Sequence, residues 1–101
     1  MKTLISSILF CSFLLAQNND LDPTFSAMNQ GNYGKALESL NLVITTDSKN
    51  AELYRLKAML HESLAETQEA LSAWRMCKKL SKNNSLTLEA NNHIQLLRQS
   101  K

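Results

Sequence analysis

The sequence predicts an all-α fold, an antiparallel array of helix hairpins, on three observations. Only two glycines and one proline interrupt 101 residues, too few breaks for a β-sandwich, whose turns recur every ~8–12 residues. Long runs of Leu, Ala, Glu, Lys, Asn and Gln favour helix. Apolar residues return at helical spacing, as at Ala36, Leu37, Leu40, Val43 and Ile44. A chain of this length makes one small domain.

Residues 1–16 stand apart from the helical array. Met1-Lys2 is a short positive start, Thr3 to Leu15 is uncharged and mostly apolar, and Ala16 precedes the polar Gln17-Asn18-Asn19-Asp20. That is the layout of a secretory signal peptide, and it is shorter than the ~20 apolar residues a bilayer core requires. Cleavage after Ala16 is the expected outcome, with an uncleaved anchor as the alternative. Phe10 before Cys11 is too large for a lipoprotein signal. The expected location is the periplasm or the cell exterior, and the brief leader with a single lysine points to a bacterial envelope. Residues 17–22 read as a short linker.

Five helices follow. Asp22 before Pro23 reads as a cap and a favoured first-turn residue, and the first helix runs to about Gln30, where Gly31 stops it. The second spans about Tyr33–Thr45 and ends at the polar Thr46-Asp47-Ser48-Lys49-Asn50. The third covers about Ala51–Leu64 and the fourth about Thr67–Ser81. After Lys82-Asn83-Asn84, the last runs from about Ser85 to Arg98 with Leu86, Ala90, Ile94 and Leu97 on one face.

A repeat runs through these elements. Gly31-Asn32-Tyr33-Gly34-Lys35-Ala36-Leu37-Glu38-Ser39-Leu40 lies over Ala65-Glu66-Thr67-Gln68-Glu69-Ala70-Leu71-Ser72-Ala73-Trp74 at an offset of 34. Ala36 falls on Ala70, Leu40 on Trp74, Val43 on Cys77 and Asn50 on Asn84. Small meets small and bulky meets bulky, as a shared packing environment demands. On these residues the chain resembles the tetratricopeptide repeat (TPR) family, whose unit is a 34-residue helix–turn–helix with small residues at the helix crossing. Gly31, Tyr33, Ala36 and Leu40 match one unit; Tyr54, Ala58, Ala70, Trp74 and Cys77 match the next. The resemblance covers about residues 23–84. It implies a TPR-like α-solenoid: a first unit over 23–50, its first helix shortened by Pro23, a second over 51–84, and a capping helix and tail over 85–101. Departures from the family pattern are Ser48 and Lys82 at its proline position, Ala65 at its turn glycine, Thr67 at its turn tyrosine, His61 at a bulky inner position and Lys57 at an apolar one.

Helix pairs of this kind bury their apolar stripes by stacking, which leaves a curved wall. The resemblance implies a non-catalytic protein–protein interaction module, an adaptor that takes a peptide or a partner helix in a concave groove. The expected groove residues are Phe25, Asn29, Glu52, Arg55, Met59, Glu62, Glu89 and His93, with Leu86 beside them. Met59 offers an adaptable apolar contact, and Arg55 could clamp a carboxylate. A related subfamily grips chaperone C-terminal carboxylates through Lys, Asn and Arg on this wall; here Leu21, Phe25, Leu56, Leu86 and Ala90 stand there, so that clamp is absent. Two units plus a cap fall short of the ~3 repeats usual for a stable stack. Self-association and a closed monomer both stay open. A second reading is a membrane-associated structural subunit or assembly factor of an envelope complex. Such a protein would be held by an uncleaved N-terminus or weakly by the basic stripe Arg75, Lys78, Lys79 and Lys82.

Other chemistries are not expected. Without residues 1–16 the chain keeps ten Lys or Arg against nine Asp or Glu, far from the clustered positive charge that nucleic-acid binding requires. Cys77 alone remains, so no intrachain disulfide forms. His61 and His93 have no His or Cys three or four residues away, so no metal site is expected. No cofactor is implied, since no phosphate-binding glycine loop occurs. Cys77 reads as a small buried residue rather than a nucleophile, and no Ser-His-Asp signature is present. The chain is not expected to be an enzyme.

Overall fold

The structure, a computed structural model, describes residues 20–100. The expected leader over 1–16, its expected cleavage site and residues 17–19 of the expected linker lie outside the described residues. Five helices follow in order: α1 (Asp22–Asn29), α2 (Tyr33–Thr46), α3 (Ala51–Ser63), α4 (Thr67–Leu80) and α5 (Asn84–Gln99). The described residues are all-helical. Each helix packs on the next in sequence, and the α3–α4 contact is the most extensive while α2–α3 is the sparest.

The ends of these helices are set by short polar side chains. Asn32, Asn50 and Asn83 stand before α2, α3 and α5, and their side chains accept from the backbone N–H groups of Lys35, Glu52 and Leu86. Each answers one of the donors that a helix start leaves unpaired. The final helix, expected from about Ser85, begins at Asn84 behind the Asn83 cap. At the first helix Asp22 is not the cap expected of it: Leu21 stands at that position and makes no side-chain capping bond. Asp22 is already helical, Pro23 follows it in the first turn, and the Asp20 carboxylate accepts from the Asp22 N–H at 3.0 Å.

The two short turns between α1 and α2 and between α3 and α4 close in the same way. In the first, Gln30, Gly31 and Asn32 donate through their backbone N–H groups to the carbonyls of Ser26, Met28 and Ala27. In the second, Leu64, Ala65 and Glu66 donate to Leu60, Glu62 and His61. Every partner in the second set lies 34 residues after its counterpart. Gly31 has φ +75° and Ala65 φ +60°, the left-handed residue that ends a helix in this motif.

Two apolar clusters result. Ala27, Ala36, Leu40, Val43, Leu53 and Leu60 form the first, across α1, α2 and α3. Ala58, Ala73, Trp74, Cys77, Leu86 and Ala90 form the second, across α3, α4 and α5. Ala36, Ala70, Leu40, Trp74 and Cys77 are fully buried, and Val43 nearly so. Leu86, expected beside the groove, is instead buried in the second cluster. Tyr33 and Tyr54 pack at the edges of the two clusters, and the Tyr54 hydroxyl donates to the Ser48 carbonyl at 3.0 Å.

Candidate functional site

The expected groove residues come from α1, α3 and α5, and four of the eight line one cleft. An open cleft of about 400 Å³ is lined by Met28 and Asn29 from α1, Tyr33 from α2, Met59, Leu60, Glu62 and Ser63 from α3, and His93 from α5. Asn29, Met59, Glu62 and His93 were expected on this wall; Met28, Tyr33, Leu60 and Ser63 were not. Phe25 is 46% exposed and lies outside the lining.

The polar end of the cleft is built around one carboxylate oxygen. Glu62 Oε2 accepts from Trp74 Nε1–H and lies 2.8 Å from His93 Nδ1. The His93 ring in turn stacks on Trp74, with centroids 4.3 Å apart and an interplanar angle of 23°. Three helices therefore meet through a carboxylate, an imidazole and an indole, and the fully buried indole N–H finds the partner it needs. The role of Trp74 here was not visible in the sequence, where it read only as a bulky repeat position. A repeat pattern gives the face of a helix but not the polar atom that a side chain reaches on another helix.

A second bridge links α3 and α5 further along. Arg55 Nε donates to Glu89 Oε2 at 2.9 Å, and Arg55 Nη1 lies 3.9 Å from Glu52 Oε1. Arg55 and Glu89 are 34 residues apart. The guanidinium expected to clamp an incoming carboxylate thus already holds a carboxylate of its own chain. Both side chains are about one third exposed, so this pair contributes at most about 1 kcal/mol.

Cys77 lies behind this pair, fully buried between α4 and its neighbours. Burial, and then the negative charges of Glu52 and Glu89, push its thiol up to about 11, against a smaller opposing effect of Arg55. At neutral pH it is a thiol and not a thiolate. His61 Nδ1 lies 2.8 Å from Glu66 Oε1, which ties the end of α3 to the turn before α4.

The basic residues arrange differently from the expected stripe. Arg75, Lys78 and Lys79 of α4 join Arg98 and Ile94 of α5 around a shallow depression of about 500 Å³. Lys82 leaves this set. The helix ends at Leu80, Ser81 is extended, and Lys82 turns to a different surface beside Asp47, Lys49 and Glu52. Extrapolating the helical spacing past its true end placed it wrongly, and Arg98 was missed because it comes from another helix. Among the described residues no helix is long and apolar enough to cross a membrane.

No family model matches this chain. Neither a curated protein nor a solved structure matches it.

Proposed function

We propose that this chain is a non-catalytic protein-binding module of tetratricopeptide type, exported to a bacterial periplasm or the cell exterior, which holds a peptide or partner helix in the α1–α3–α5 cleft. The observation that carries this reading is the cleft itself. Two methionines, Met28 and Met59, flank it, and Asn29 and the Glu62–His93 pair supply polar groups at its edge. Methionine adapts to irregular apolar side chains, while an amide and a carboxylate–imidazole pair fix a backbone or polar side chain by hydrogen bonds. The partner expected from this lining presents an apolar side chain beside a polar group.

The tetratricopeptide assignment is supported by the 34-residue correspondence of the two turns at Gly31 and Ala65, and by buried alanines at Ala36 and Ala70. The non-catalytic part of the reading is supported by the way the polar side chains pair among themselves. Glu62, His93, Arg55 and Glu89 hold helices together, and Cys77 is protonated and enclosed.

Capture from envelope extracts tests the reading. Met59 is 36% exposed and Leu42 71% exposed, so Met59→Glu and the control Leu42→Glu should both fold. The expected result is that Met59→Glu loses the captured protein and Leu42→Glu retains it. Equal recovery by wild type and Met59→Glu would overturn the cleft as the binding site.

A further inference from the structure

The polar side chains around the α1–α3–α5 cleft commit their hydrogens within the protein and leave acceptors open. Glu62 Oε2 takes Trp74 Nε1–H and lies 2.8 Å from His93 Nδ1. A carboxylate accepts and does not donate, so Nδ1 carries the hydrogen, and the neutral ring keeps its lone pair on Nε2. Neither that Nε2 nor Glu62 Oε1 has a hydrogen-bond partner among the described residues, and neither is buried. Ser63 Oγ donates to the Met59 carbonyl at 3.1 Å, so its oxygen remains as a third acceptor.

Charge points the same way. The lining holds one carboxylate, Glu62, and no Lys or Arg. Two turns earlier on α3, Arg55 is held by Glu89 and Glu52 and does not offset it. A carboxylate brought into the cleft would meet acceptors and like charge, which opposes binding. A cation with several donors meets complementary groups. Beside the acceptors the lining is apolar, with Met28, Met59 and the buried Leu60. An arginine side chain matches both halves. Its guanidinium presents five donors in a planar fork, where an ammonium is a compact and strongly hydrated charge, and its stem lies on apolar surface.

We infer that the segment bound in this cleft inserts an arginine, its guanidinium at the open acceptors of Glu62 and His93 and its stem against Met28 and Met59. The inference rests on the reading of the cleft as a peptide site and names what that peptide carries. Asn29 and Tyr33 can each donate or accept, which suits the peptide's backbone beside that residue.

The test titrates three capped pentapeptides into the full chain at about pH 8 and low salt, where charge is least screened. They are acetyl-Ala-Leu-Arg-Leu-Ala-amide and its counterparts with citrulline or glutamate in place of arginine. Citrulline keeps the shape of arginine and lacks its charge. The readout is the nitrogen-15 NMR signal of the Trp74 indole N–H, the chain's single indole and a donor to Glu62. The arginine peptide should move that signal and bind about tenfold more tightly than the citrulline peptide, and the glutamate peptide should not bind. Glu62→Gln keeps an acceptor for Trp74 and should bring the arginine peptide down to the citrulline level. Glu38→Gln, exposed on α2, should change neither. The comparison of peptides on the wild type stands even where a variant does not fold. Tighter binding of the glutamate peptide, an arginine preference that survives Glu62→Gln, or one lost equally in Glu38→Gln would each overturn the inference. Equal affinities for arginine and citrulline would overturn it while leaving the cleft a peptide site. A signal unmoved by all three peptides would overturn it too, and capture with Met59→Glu then decides the cleft separately.

Discussion

At position 65 an alanine holds the left-handed backbone that glycine holds at position 31. For a residue with a Cβ this conformation costs roughly 1 kcal/mol, and the hydrogen bonds of the turn compel it all the same. Ala65→Gly should therefore raise stability by up to about 1 kcal/mol, and Gly31→Ala should lower it by a similar amount, as read by urea denaturation. Nothing lies within 4 Å of a Cβ added at Gly31, so the loss there is conformational and not steric. Thr24 presents the opposite case. It is fully buried, and its hydroxyl finds no partner among the described residues, where the position 34 residues on holds Ala58. Thr24→Val keeps the shape and removes an uncompensated polar group, so it should stabilise by about 1 kcal/mol. Thermal denaturation followed by circular dichroism checks it, and a lower midpoint would show that the hydroxyl is satisfied. Cys77 carries a pH signature. Its thiol lies at 9.0 when unperturbed and at about 11 in the fold. Above pH 9 the unfolded chain gives up this proton while the folded chain keeps it, so stability falls as pH rises towards 11. The loss amounts to roughly 2–3 kcal/mol. Cys77→Ala should show a shallower decline between pH 9 and 11, read by urea denaturation at each pH.

The helices themselves were legible because their signals are local. Gly31 after α1, the polar breaks Thr46-Asp47-Ser48-Lys49-Asn50 and Lys82-Asn83-Asn84, and apolar residues at helical spacing placed all five within a residue or two of where they stand. What failed did so at ends and between elements. The first helix takes in Asp22, the expected cap, as its first residue, and the Asp20 carboxylate accepts from the Asp22 N–H instead. Lys82 was extrapolated onto a helix that stops at Leu80. Half of the cleft lining was legible, since Asn29, Met59, Glu62 and His93 follow from which face each helix turns. Met28, Tyr33 and the Trp74–Glu62 bond depend on how helices cross, which periodicity does not carry. That bond supports a prediction at this scale. Glu62→Ala leaves the buried indole N–H of Trp74 without an acceptor and should cost about 1–3 kcal/mol. Glu62→Gln keeps an acceptor oxygen and should cost less, measured by the same denaturation.

Across the molecule, the two apolar clusters divide the chain unevenly. Leu53 and Leu60 of α3 belong to the first cluster and Ala58 to the second, so α3 is the element they share. The sparest contact between successive helices lies at α2–α3 and the most extensive at α3–α4. Where each helix packs chiefly on its neighbour in sequence, local openings follow the weaker contacts. Amide hydrogens of α1 and α2 should exchange faster than those of α3 and α4 under native conditions. Uniform protection over α1–α4 would show instead that the two clusters open as one. The chain contains a single tryptophan, and its ring lies flat against the imidazole that borders the cleft. An occupant that shifts His93 changes what that indole sees. Its intrinsic fluorescence thus becomes a label-free gauge of occupancy, built into the site by the same stacking that holds α4 to α5.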